Sequence, residues 1–271
     1  MTSLIGWIAV DSRGPASIYL ASDSRISWGS ENVWDCGRKL FASRKYPEIL
    51  GYCGDVLFPT QVLGQIIDLI DNELCLDLFD TPDVKRNKIF KIIMDSFSGY
   101  PADVAKEFTV VYCTRENDGM NSSFNLSTLN WSKSSWSEQW LPLPTESGVI
   151  TTLGSGTAFI SKWYDRWSHT TEKRTSRSVF SAFCDSIQSG DDKNTGGAPQ
   201  LVGIYRKGSA ESFGIMYKNQ RFLLGLPIEG SNKCESVEWR NCIFERCDWR
   251  NMERLEGSQK HKRPRGLGRA F

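Results

Sequence analysis

A chain of 271 residues, 39% hydrophobic and 24% charged with a formal net charge of +1, has apolar material for one large α/β or α+β domain plus a tail, and its composition excludes both a disordered chain and a protein that coats nucleic acid by bulk charge. No run of about 18 apolar residues offers a membrane-spanning helix, and the start has no cationic leader before its apolar run stops at Asp11, so no signal peptide is read and a cytoplasmic location is expected. Eight cysteines without paired short spacing fit buried thiols in a reducing compartment.

Residues 3–10 are largely apolar, as a buried strand is, and Ser12-Arg13-Gly14-Pro15 is turn chemistry before a second strand over 17–22. A loop follows Asp23, with a short strand around Lys39-Leu40-Phe41 and a further strand over 49–54 that ends in Gly54. Val62, Ile66, Leu69 and Ile70 recur at helical spacing within 59–72, where Pro59 suits a first turn. A second helix is predicted over 83–98, with Val84, Ile89, Ile92, Ile93 and Phe97 on one broad face. Residues 108–113 read as a strand and 124–129 as its hairpin partner. The three N-x-S strings between Asn121 and Ser132 match the glycosylation pattern only by coincidence in a Ser-rich hairpin.

Residues 145–152 lead into Gly154-Ser155-Gly156, then helices are predicted over 157–167 and 176–189 and closing strands over 200–205, 213–217 and 220–224. Strands, two helices, strands, two helices, strands is an order that favours two sheets between helical layers over alternating βαβ units. The composition changes near Gly230, which places a boundary between a domain at 2–228 and an extension at 229–271. Trp239, Phe244 and Trp249 lie in a segment too short to bury them by itself, so they are expected to rest on the domain or on a neighbouring subunit. Cys234, Cys242, Cys247 and His261 fit no common zinc spacing, and no metal or cofactor is expected. The cations from Lys260 onward read as a solvated end rather than a nucleic-acid site.

The chemistry begins at the amino terminus. Thr2 is small enough that an aminopeptidase removes Met1 readily, which leaves a hydroxyl and a free α-amine on one residue. An unperturbed α-amine has a pKa near ~8, close enough to neutrality to take the hydroxyl proton and activate the nucleophile. Downstream, Ala21-Ser22-Asp23-Ser24-Arg25 and Arg38-Lys39-Leu40 supply a carboxylate and an amine. Either charge alone reads as half of a structural ion pair, and Ser155 alone reads as a helix N-cap.

Taken in order, Thr2, Ala21-Ser22-Asp23-Ser24-Arg25, Arg38-Lys39-Leu40, Tyr52-Cys53-Gly54 and Leu153-Gly154-Ser155-Gly156 resemble the N-terminal-nucleophile hydrolases of the proteasome β-subunit type, including the bacterial HslV and Anbu branches. The resemblance spans residues 2–228, and the step of sixteen from Asp23 to Lys39 (39 − 23) matches the family. It implies an α+β fold, a four-layer αββα sandwich. It implies Thr2 as nucleophile, Lys39 as the cation beside it, Asp23 as the group that holds Lys39, and the Gly54 N–H as oxyanion donor. Ser155 corresponds to the family serine near the terminal amine. Asp192-Lys193-Asn194-Thr195-Gly196-Gly197 resembles the family Asp-x-x-Ser-Gly-Gly, which brings Asp192 and Thr195 into the site, with Asp185 as a rival aspartate. Ser27, Tyr52 and Val56 fall at substrate-binding positions, and the last two imply a preference for apolar side chains.

The activity implied is that of a threonine endopeptidase acting on peptides or unfolded proteins inside a homo-oligomer. No Gly-x-x-x-x-Gly-Lys motif is present, so ATP-driven unfolding would come from a separate partner. Two alternatives stand beside it: a catalytically silent scaffold with the same fold, and an amidase acting on small molecules by the same N-terminal chemistry.

Overall fold

The apolar run at the start of the chain forms β1 (Ser3–Asp11), and both its faces are buried. Ile5 and Trp7 point to a helical layer, while Leu4 and Ile8 point to a second sheet. A strand enclosed on both faces reads as a continuous apolar run rather than an alternation, which is why this segment is legible. In the computed structural model, which describes residues 2–29, 32–77, 79–229, 234–264 and 267, the chain continues through β2 (Gly14–Ser22), β3 (Ile26–Trp28), β4 (Asn32–Trp34), β5 (Leu40–Ala42) and β6 (Glu48–Gly54). Helices α1 (Leu57–Asp71) and α2 (Pro82–Ser98) follow, then β7 (Phe108–Glu116), β8 (Ser123–Ser132), β9 (Ser135–Trp140) and β10 (Gly148–Gly154). Helices α3 (Thr157–Ser168) and α4 (Ser176–Ser189) precede β11 (Gln200–Tyr205), β12 (Ala210–Tyr217), β13 (Gln220–Leu223), β14 (Leu226–Ile228), β15 (Trp239–Asn241) and β16 (Arg246–Cys247).

One sheet runs β10-β1-β2-β11-β12-β13-β14 and the other β5-β6-β7-β8-β9. Three apolar layers define the architecture. Leu4, Ile8, Ile18 and Leu20 meet Leu40, Ile49, Val111 and Leu126 between the sheets. Helices α1 and α2 cover the outer face of the five-stranded sheet through Val62, Ile66, Ile89, Ile93 and Phe97. Helices α3 and α4 cover the outer face of the larger sheet through Ile160, Phe180, Phe183 and Ile187. The fold is the four-layer αββα sandwich of the α+β class. The helices start where the sequence supplies caps: the Val84 N–H donates to Thr81 Oγ1 at 3.5 Å, ahead of which Pro82 opens α2, and the Ser178 N–H donates to Thr175 Oγ1 at 3.1 Å to begin α4.

The segment beyond residue 229 adds to this body. Gly230, near which the boundary is expected, lies outside the described residues, as do Arg265 and Arg269 of the tail. Strand β15 pairs in parallel with the second half of β12, Gly214 opposite Trp239. The absent side chain at Gly214 leaves room for the Trp239 indole, which a Cβ there would meet at 2.3 Å. Phe244 stands in the helical layer with its ring centroid 5.8 Å from Tyr19 and 5.5 Å from Phe180. Of the three aromatics, Trp239 and Phe244 are thus buried on the main body and Trp249 is half-buried against the same cluster as Trp239.

Candidate active site

Asp23 directly follows β2 of the larger sheet and Lys39 directly precedes β5 of the five-stranded one, and the two residues meet there. Both are wholly buried, and Lys39 Nζ lies 2.7 Å from Asp23 Oδ1. The same oxygen accepts the Ser3 N–H at 3.0 Å, which places the Thr2–Ser3 peptide and the ammonium on one carboxylate. The other carboxylate oxygen accepts the N–H groups of Arg25 at 3.0 Å and Gly196 at 3.1 Å. Lys39 Nζ also donates to the Arg25 carbonyl at 2.6 Å. Burial pushes the Lys39 ammonium below its ordinary range, against the pull of Asp23.

A second cluster locks onto the first through Ser3. Its hydroxyl lies 2.6 Å from Thr195 Oγ1, and Thr195 Oγ1 donates to Asp192 Oδ2 at 2.7 Å. Ser155 Oγ donates to that same oxygen at 2.9 Å. Burial alone would push the Asp192 carboxyl up, but hydrogen bonds from Thr195, the Asn194 N–H and Ser155 outweigh it and hold the group below its ordinary range. Asp185, the rival aspartate, lies elsewhere: it accepts from Trp167 Nε1 at 2.8 Å and pairs with Arg263 at 2.7 Å.

Gly154 adopts φ +89°, and a Cβ on it would sit 1.8 Å from the Thr2 carbonyl oxygen. Glycine is therefore required for β10 to pass the start of β1, Ser3 opposite Gly154. Gly54 ends β6 at φ +99° with a Cβ excluded by the Glu107 carbonyl at 2.4 Å. Cys53, the thiol between Tyr52 and Gly54, is pushed up to about 11 by burial and so stays protonated at neutral pH. Thr2 itself is enclosed, with no exposed surface. Met1 lies outside the described residues.

Thus Thr2, Asp23, Lys39, Ser155, Asp192 and Thr195 converge through Ser3. Tyr52 departs from expectation: its ring is wholly enclosed beneath α1, and its hydroxyl donates to the Arg38 carbonyl at 3.1 Å and lies 2.7 Å from Thr60 Oγ1. The strand alternation turns it into the helix-facing core, so it has no surface to offer a substrate. Val56 is half-buried against that same core, and Ser27 is half-buried on β3 with its Oγ enclosed and unpartnered.

Three participants escaped the sequence reading. Gln200 donates from Nε2 to the Asp23 carbonyl, Ser24 Oγ and the Gly37 carbonyl, and its Oε1 accepts the Lys39 N–H at 3.1 Å. It stitches the Asp23 loop to the Lys39 strand, and the signal for it was a lone amide opening the apolar strand Gln200-Leu201-Val202. Arg25 is fixed by two bonds to Asp35, at 2.7 and 2.9 Å, and so presents its backbone to both Asp23 and Lys39. Ser3 carried no signal beyond following Thr2.

No protein-family model matches the chain, and no curated protein matches it. Among solved structures it is similar to that of a eukaryotic HslV from Trypanosoma brucei, at 12% identity over 74% of this chain and 99% of that one, with a TM-score of 0.45. The layer order above rests on the strand register and core contacts of this chain alone. No helix among the described residues is long and apolar enough to cross a membrane.

Proposed function

We propose that residues 2–228 form a threonine endopeptidase domain of the proteasome-like N-terminal-nucleophile type, acting in the cytoplasm on peptides or unfolded segments. The observation that carries the reading is the buried Asp23–Lys39 pair, fixed on the same carboxylate oxygen as the Thr2–Ser3 peptide. Once Met1 is removed, the Thr2 hydroxyl gives its proton to the α-amine and its oxygen attacks the substrate carbonyl. The Gly54 N–H stabilises the oxyanion. The C–N bond breaks as the leaving amine takes a proton, leaving an ester on Thr2 that water hydrolyses to free the acid and the hydroxyl. Lys39, whose ammonium burial makes readier to give up its proton, relays protons beside the hydroxyl. Ser155, Asp192 and Thr195 orient the start of the chain, and Ser27 belongs to the substrate-binding stretch. The domain works in a homo-oligomer whose neighbours enclose the site, with any unfolding energy supplied by a separate ATPase.

Intact-mass measurement with and without a peptide epoxyketone tests this. A mass lacking Met1 and increased by one inhibitor, both dependent on Thr2, is the expected result; active protein that retains Met1 overturns it. The second reading is a catalytically silent scaffold of the same fold, which the same measurement separates from the first. An unmodified protein that assembles normally would select it.

A further inference from the structure

Strand register sets Gly54, Phe108, Trp131 and Trp136 in one row across β6, β7, β8 and β9. Residues paired across antiparallel strands share a face, and in this row the face is the one beneath α2. There the end of α2 and the β8–β9 turn frame a cleft of about 470 Å³, lined by Met94, Phe97, Tyr100, Ala105, Trp131 and Trp136. The Phe97 centroid lies 4.9 Å from Trp131, 5.3 Å from Trp136 and 5.7 Å from Tyr100. Phe97 is buried, and the other three rings are half-buried and form the wall. The Tyr100 hydroxyl is enclosed with no hydrogen-bond partner.

The cleft adjoins Gly54 through one wall residue. Its wall residue Glu107 accepts the Asp55 N–H at 2.9 Å through its carbonyl, and that carbonyl is also what excludes a side chain at Gly54. Strands lie about 4.8 Å apart, so Trp131 stands roughly 10 Å from Gly54, the reach of about three residues of extended peptide at ~3.3 Å each. The Glu107 carboxylate at the rim accepts Ser132 Oγ at 2.6 Å and the Lys133 N–H. A flat apolar side chain meets ring edges and faces on several sides.

Resting on the peptidase reading, we propose that this cleft is a subsite for an aromatic side chain of the peptide substrate, about three residues from the bond held at Gly54. It supplies the apolar selection that the enclosed Tyr52 does not. The test uses the full chain carrying Thr2→Ala, so that binding is read without turnover. Blocked peptides bearing Trp, Ala, trimethyl-lysine or Glu at each position in turn are titrated by calorimetry, and the same peptides are assayed for cleavage by the unsubstituted protein. Trp at one position is expected to tighten binding at least about 10-fold over Ala; Trp136→Ala abolishes that gain, and Trp136→Phe retains part of it with the fold verified by circular dichroism. Equal binding of Trp and Ala peptides, stronger binding of trimethyl-lysine or Glu, or a Trp gain untouched by Trp136→Ala overturns the subsite. Trp136-dependent binding without cleavage supports the subsite and sinks only the peptidase reading.

Discussion

Strand β6 has a buried lysine–carboxylate pair at its first residue and a glycine of the candidate site at its last. Glu48, wholly buried, accepts Lys85 Nζ at 2.8 Å, Thr114 Oγ1 at 3.0 Å and the Tyr112 hydroxyl at 2.5 Å. Asp23, equally buried, accepts one ammonium and three backbone N–H groups drawn from the start of β1, from the Arg25 loop and from the segment at Gly196. Glu48 thus ties side chains of α2 and β7 to a strand, while Asp23 ties main chain from three distant segments to one point. The electrostatics differ as well. Burial pushes the Glu48 carboxyl up despite Lys85, so there the acid is the disfavoured charge, whereas at the other pair it is the Lys39 ammonium that burial pushes down. A buried ion pair is therefore no sign of catalysis by itself; what sets the Asp23 pair apart is the backbone that converges on it and the ammonium that burial disfavours.

The widest separation between the two pairs comes from neutralising each acid. Asp23→Asn leaves the wholly buried Lys39 without its carboxylate, which costs about 3–5 kcal/mol in urea denaturation, and peptide turnover falls about 100-fold or more. Wild-type turnover in a folded Asp23→Asn protein would reduce the pair to a structural one. Glu48→Gln is milder, because Lys85 lies at the mouth of a cleft and reaches water; about 1–3 kcal/mol is expected from the unmatched hydrogen bonds, with turnover unchanged. A turnover loss as deep as that of Asp23→Asn would erase the contrast.

Thr195→Val sharpens the comparison through pH. The Asp192 carboxyl is held below its unfolded pKa of about 3.9, so its stabilisation is complete above that value and is lost as the pH falls through the folded pKa. Removing one donor gives up part of it, and the stability gap between wild type and Thr195→Val is expected to be full at neutral pH and to shrink below about pH 4. A gap of constant size from pH 7 to pH 3 would show that packing, not charge, sets the effect. The smallest effect belongs to the exposed pair Lys91–Asp95 on α2, where Lys91→Ala should change stability by less than about 0.5 kcal/mol.

Much of this was legible in the chain. The helices and most strands fall where apolar spacing places them, since a face buried over its whole length must write its period into the sequence. The Asp23 and Lys39 pair was legible as a spacing, and Asp192 as part of a string. What was not legible depends on partners far away. Tyr52 was misplaced because alternation along β6 fixes opposite faces without saying which one a helix covers. Asp185 and Asp192 could be ranked by spacing but separated only by Trp167 and Arg263, contributed by another helix and by the tail. The β3–β4 hairpin and strands β9, β15 and β16 are short or polar, and their pairing supplies the order that their residues do not signal.

The register of β2 has a consequence for the timing of assembly. Ser22, next to Asp23, pairs with Gln200, 178 positions later (200 − 22), and Ser3 pairs with Gly154. At about 5–20 residues per second of synthesis, some 10–40 s separate the appearance of Thr2 from that of the strand that closes over Asp23. During that interval β2 has β1 on one side and lacks β11 on the other, so Asp23 waits for the Gly196 N–H and the Gln200 side chain that complete its surroundings. Contacts of such long sequence separation form slowly, so the chain's first residues are among the last to reach their final surroundings.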